Sequence, residues 1–130
     1  MKVLLDTHVV LWWSSGGASR LSPSTRELIA DGSTVALVSA ASLYEIGIKS
    51  AIGRLVLPAP AETYLPRMLR RHDFTVLPVD GDHALRAGAL PLIHRDPWDR
   101  LLISQAQLEG IAIVTADPAI AQYDIDVIAA

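Results

Sequence analysis

Four short apolar runs recur along this chain, at 3–5, 34–38, 74–77 and 111–114, and the segments between them are long enough for helices. Runs this short suit buried strands better than helices. Strands alternating with helices are the pattern of a parallel sheet covered on both faces, because a parallel pair needs a crossover long enough to hold a helix. The expected fold is therefore α/β, a three-layer sandwich with a parallel sheet of four to five strands, the fifth being a short edge at 126–129. With 130 residues, the chain fits a single domain spanning 1–130.

Local signals place the helices. A first helix follows Asp6, Thr7 and His8 through 9–13. Ser22 and Pro23 open a helix over 23–30, cap then first-turn proline. Ser39 can cap a helix over 40–52, with Gly53 as its stop. Gly47 inside that helix costs propensity and predicts a close neighbour. Residues 61–71 read as a helix kinked or restarted at Pro66, and 81–89 as another. Asp96 and Pro97 open a helix that runs to Leu108 and stops at Gly110. Thr115, Ala116, Asp117 and Pro118 repeat the opening arrangement, a strand followed by a polar residue, an Asp and a helix start.

Composition narrows the class. Apolar residues make up 51% and charged residues 19%, which suits a packed core and not a disordered chain. No apolar run approaches the roughly 18 residues of a membrane span. Neither a membrane anchor nor a signal peptide is expected, and the absence of cysteine fits a cytoplasmic protein without thiolate metal sites. A net charge of −3 means that any nucleic-acid contact needs a local basic surface. The densest basic stretches are Arg67, Arg70 and Arg71, then Arg95 and Arg100.

Each acid has an ordinary reading when taken singly. Asp6, Asp96 and Asp99 suit helix N-termini, and Glu45 with Lys49 reads as an exposed pair worth a few tenths of a kcal/mol. Together they read differently. Asp6 and Asp117 each lie just past a strand's carboxyl end, where α/β sheets bind ligands. Right-handed crossovers can bring Glu45 and Asp99 to the same end. Four converging carboxylates could not all stay ionised without a cation. Hard oxygen donors without cysteine favour Mg²⁺ or Mn²⁺, which can activate water and neutralise a phosphodiester's charge.

Four motifs carry a family resemblance. LLDTHVVLWW at the start, SAASLYEIGIK from Ser39, HRDPWDRLLISQA from His94 and VTAD from Val114 resemble the PIN-domain ribonucleases, most closely toxins of the VapC type. The resemblance spans essentially the whole chain. It implies a metal-dependent endoribonuclease with Asp6, Glu45, Asp99 and Asp117 as its acids, of which Asp6, Asp99 and Asp117 hold Mg²⁺ or Mn²⁺. Thr115 matches the hydroxyl residue supporting the last acid, and Asp96 an additional acid that supports the site. Trp98 stands where Phe is common. The implied partners are RNA, a VapB-like antitoxin and a second copy in a homodimer. Trp12, Trp13, Leu43, Ile46 and Leu55 are the expected wall for the antitoxin.

Other residues carry weaker signals. Thr7, Ser42, Lys49 and Arg100 can orient water or hold phosphate, and each also has an ordinary helix role. His8, His72, His83 and His94 could ligate a metal, but they are scattered enough to read as solvated or packed imidazoles. Two further functions compete with the nuclease. One is a binding module whose acid pocket docks a basic residue without chemistry. The other is a phosphate-accepting receiver-like domain, disfavoured because Asp6 has no acidic neighbour and no lysine follows Lys49.

Overall fold

The computed structural model describes residues 1–130. Five strands, β1 (Lys2–Leu5), β2 (Val35–Ser39), β3 (Thr75–Leu77), β4 (Ala112–Thr115) and β5 (Val127–Ala129), form one sheet. Every pairing is parallel and the order is β3-β2-β1-β4-β5. This order differs from the 2-1-3-4-5 order of flavodoxin-like sheets, which removes the receiver-like alternative. The chain moves outward from β1 through β2 to β3, then returns to place β4 on the other side of β1. The order thus reverses between β1 and β4, the switch point at which α/β sheets form a ligand crevice beyond the strands' carboxyl ends.

Helices α1 (Thr7–Ser14), α2 (Pro23–Ala30), α3 (Ala40–Ala51), α4 (Ala61–Arg71), α5 (Gly81–Ala89) and α6 (Pro97–Glu109) complete the layers. Alternation along β1 divides the core. Val3 and Leu5 face Val9, Val10, Ile29, Ile46, Leu65 and Met68, whereas Leu4 faces Leu102, Ile103 and Ala106. A strand buried on both faces explains the uninterrupted apolar run at 3–5. No helix is long and apolar enough to cross a membrane.

Caps fall where the sequence puts them. Ser22 Oγ accepts the Thr25 N–H at 3.2 Å, and Ser39 Oγ accepts that of Ala41 at 3.0 Å. Gly110 ends α6 in the left-handed region at φ +66°, where a side chain would be strained. Three expectations need correction. α4 does not restart at Pro66 but runs on through it, the proline leaving the carbonyl of Glu62, an exposed residue, without its intrahelical donor. Nothing lies within 4 Å of where a Cβ on Gly47 would stand, so this glycine admits no close neighbour. After β4 there is no further α-helix, only a 3-10 turn over Ile120–Gln122.

Candidate active site

Asp6 leaves β1 at the crevice and caps α1, its Oδ1 accepting the His8 N–H at 3.0 Å. The residue is 4% exposed. Its Oδ2 accepts the Thr115 hydroxyl at 2.6 Å, from the end of the neighbouring strand β4. Burial pushes its pKa upward. The His8 imidazole at 3.8 Å, the Thr115 hydroxyl and the His8 N–H outweigh burial and hold the carboxyl below its ordinary value. The same contact raises the His8 pKa against the opposing effect of burial.

Thr7, the first residue of α1, ties this strand end to α3. Its hydroxyl lies 2.8 Å from Ser42 Oγ and 2.9 Å from Glu45 Oε1. With one proton to give, it donates to the carboxylate, which only accepts, and receives the Ser42 proton. Lys49, one turn further along α3, brings Nζ to 2.6 Å from Glu45 Oε2. The pair is not the exposed one read from spacing: the Glu45 side chain is 4% exposed and that of Lys49 35%.

Opposite stands the first turn of α6. Asp96 caps it by accepting the N–H groups of Trp98 and Asp99, at 2.9 and 3.2 Å. Asp99 projects from this turn, and its carboxyl is pushed up to about 7. Burial is the largest cause, followed by the charges of Asp96 and Asp6; His94 opposes them and Glu45 adds to them. Asp117 follows β4, donating its N–H to Thr115 Oγ1 at 3.0 Å and accepting the Ala119 N–H at 2.9 Å. The expected helix start is thus an Asx-type turn. His94 Nε2 lies 2.8 Å from Asp99 Oδ2 and 3.2 Å from Asp117 Oδ2. His94, Asp99 and Asp117 each offer a ligand atom, all within 4.8 Å of one another.

Against this geometry, a PIN-domain family model matches residues 3–126. The chain belongs to the PIN-domain family. The ribonuclease VapC22 of Mycobacterium tuberculosis is 35% identical over 116 residues, covering 88% of this chain and 86% of that protein. Among solved structures, VapBC2 from Rickettsia felis, bound to a DNA fragment from its promoter, superposes with a TM-score of 0.73. It is 14% identical and covers 98% of both chains. DNA-bound VapBC from Salmonella typhimurium gives a TM-score of 0.70 at 16% identity, covering 98% of this chain and 97% of that one.

Within this PIN domain, most of the residues singled out from the sequence meet at the crevice. Arg100 does not take the phosphate-holding role. Its guanidinium donates to the carbonyls of Ala87, Leu90, Pro91 and His94 at 2.8 to 3.2 Å, and the residue is 8% exposed. Ile46 is fully buried, so it forms no docking wall; Trp12, Trp13, Leu43 and Leu55 are partly buried against the core. Arg67 and Arg71 line a hollow of about 660 Å³ with Ser14 and Ser15, where α1 ends. That end is seven residues, about 10 Å, from Thr7 at the crevice. Spacing did not single out His94, which stood in the sequence only as one of four scattered imidazoles and as the first residue of the HRDPWDRLLISQA motif. A second cluster, Asp80, His83 and Glu109, has a structural explanation. His83 Nδ1 accepts the Asp80 N–H at 3.1 Å within a capping box, and Nε2 meets Glu109 at 2.9 Å.

Proposed function

We propose that this PIN domain is a metal-dependent endoribonuclease of the VapC type, acting in the cytoplasm as the toxin of a toxin–antitoxin pair. One observation carries the reading. Asp99 and Asp117 converge with His94, near Asp6, and burial followed by the charges of Asp96 and Asp6 pushes Asp99 up to about 7. Carboxylate oxygens suit a hard divalent cation, Mg²⁺ or Mn²⁺, held by Asp6, Asp99 and Asp117. Such an ion would activate water and offset charge developing on a phosphodiester.

The chain's own groups supply the rest. Glu45, fixed by Thr7 and Lys49, orients the attacking water and takes up its proton. Thr115 keeps Asp6 and the Asp117 main chain in register. Asp96 holds the first turn of α6, and so Asp99, in place. Lys49, partly exposed beside Glu45, meets the scissile phosphate. Attack of water at phosphorus breaks the P–O3′ bond, the departing O3′ takes a proton from solvent, and a 5′-phosphate and a 3′-hydroxyl result.

The similar Rickettsia and Salmonella structures are VapBC complexes, which supports a VapB-like antitoxin as partner. Its basic residue would compete with the cation for the same carboxylates, while its apolar side covers the partly buried Trp12, Trp13, Leu43 and Leu55. A homodimer is the proposed assembly. The test is incubation of purified, partner-free protein with total RNA, with Mg²⁺, Mn²⁺ or chelator, and mapping of the new ends. Cleavage should need the metal and leave 5′-phosphates. Asp6→Asn should reduce it at least about 100-fold, as losing one charge-stabilising group does elsewhere. Metal binding without cleavage would favour the non-catalytic binding module instead.

A further inference from the structure

The segment between α5 and α6 has no regular structure, yet it is tied down at several points. The Tyr123 hydroxyl donates to the Pro91 carbonyl at 2.7 Å and accepts the His94 N–H at 2.8 Å. Arg100 donates to the carbonyls of the same two residues, at 3.0 and 3.2 Å. Both anchors are buried, Tyr123 at 6% exposure and Arg100 at 8%. Burying a guanidinium carries a desolvation cost, so four carbonyl partners for one arginine mark a segment whose course is strictly held. What this segment delivers to the crevice is the His94 ring.

The ring's surroundings define its hydrogen bonding. Nδ1 receives the Asp96 N–H at 3.4 Å. A main-chain N–H only donates, so Nδ1 accepts and Nε2 carries the ring proton. Nε2 in turn faces one oxygen each of Asp99 and Asp117. Ligation of a cation by Nε2 would require the opposite tautomer, with an N–H aimed at the N–H of Asp96.

We propose that His94 is a positioning residue whose Nε2–H bridges Asp99 and Asp117, holding the two carboxylates together for a divalent cation without binding that cation itself. Arg100 and Tyr123 serve this bridge by fixing the loop. The inference rests on the cation site proposed above. Groups that orient metal ligands from behind commonly change metal affinity by roughly 10- to 100-fold when removed.

Mn²⁺ affinity, read from the electron paramagnetic resonance signal of the free ion, tests the bridge in the parent protein, His94→Ala, His94→Gln and Tyr123→Phe. His94→Ala should weaken binding by roughly 10-fold or more. His94→Gln, which restores an N–H donor, should recover most of that loss, and Tyr123→Phe should fall between parent and His94→Ala. In ¹⁵N spectra, His94 Nε2 should keep its proton when Mg²⁺ is added. Should His94→Ala fail to fold, His94→Gln, Tyr123→Phe and the spectra still decide. Tight binding by the parent with no change in His94→Ala would overturn this inference alone. Loss of the Nε2 proton on adding Mg²⁺ would overturn it in favour of direct ligation. A parent protein that binds no Mn²⁺ would overturn the cation site and the bridge together.

Discussion

Asp6 and Asp99 face the same crevice, and the protein treats their charges in opposite ways. Asp6 is the more buried, yet His8 and Thr115 surround it with donors and its carboxyl stays below the ordinary range. Glu45 shares that side, with a hydroxyl and an ammonium as partners. Asp99 stands among other acids, with one imidazole opposing them, and is pushed up to about 7. One wall of the crevice is thus satisfied by the fold alone, whereas the other is left short of positive charge. Burial does not separate the two; hydrogen-bond donors do. A site meant to capture a cation needs both kinds of wall, one to fix geometry and one to supply the attraction.

Stability without metal gives the sharpest way to break this comparison. Asp99 has a folded pKa of about 7 against an ordinary 3.8, so it carries no penalty below about pH 4. The penalty builds up as pH rises from about 4 towards 7 and levels off above that, at no more than about 4 kcal/mol before solvent screening reduces it. Asp99→Asn should therefore raise the metal-free melting temperature near pH 8 and leave it nearly unchanged near pH 4. Asp6 has the opposite sign. Its lowered pKa contributes stability above the ordinary value that is lost as pH falls through the folded one. Asp6→Asn should destabilise the fold near pH 8 by about 1.5–3 kcal/mol, the range for hydrogen bonds to a charged group, and so lower the melting temperature there. Saturating Mg²⁺ should then stabilise the parent more at pH 8 than at pH 5, because protons compete for Asp99. Melting curves of the three proteins across pH would refute the contrast if both substitutions shifted stability in the same direction.

A smaller effect tests the satisfied wall. Thr115→Val removes the hydroxyl that donates to Asp6 and accepts from Asp117, leaving a buried carboxylate oxygen without its donor. It should cost about 1–3 kcal/mol in denaturant unfolding. It should also raise the Asp6 pKa, seen as an acid limb of the stability curve shifted to higher pH. The smallest effect belongs to Lys49→Met. This ammonium is partly exposed, so its loss should cost about 1 kcal/mol or less, although it leaves Glu45 with one partner fewer. A cost well above that would mean that Lys49 compensates the crevice as a whole.

What was legible in the sequence was what local chemistry controls. Apolar runs gave all five strands within a residue or two, and Ser22, Ser39, Asp96 and Gly110 punctuate helices where their side chains or φ preference allow. The acids were legible because each stands at a fixed offset from a strand end or a helix start. Residues whose role depends on distant parts of the chain were not. His94 reaches Asp117 from a loop bonded to Tyr123 and Arg100, and no spacing encodes that. Arg100 looked like a surface cation one residue after Asp99, yet its guanidinium ends among four carbonyls. Pro118 suggested a helix start, but the Asx-type turn at Asp117 satisfies the local N–H groups without one.

The bond between Thr115 and Asp6 joins residues 109 positions apart. On a ribosome, β1 and its acid emerge before their hydroxyl partner and the strand that carries it. Until then Asp6 has no Thr115, Asp117 is absent, and β1 lacks its β4 neighbour. A growing chain therefore cannot assemble the site until β4 and the residues just after it have emerged. For a protein proposed to cut RNA, that order leaves the proposed site incomplete until β4 is made.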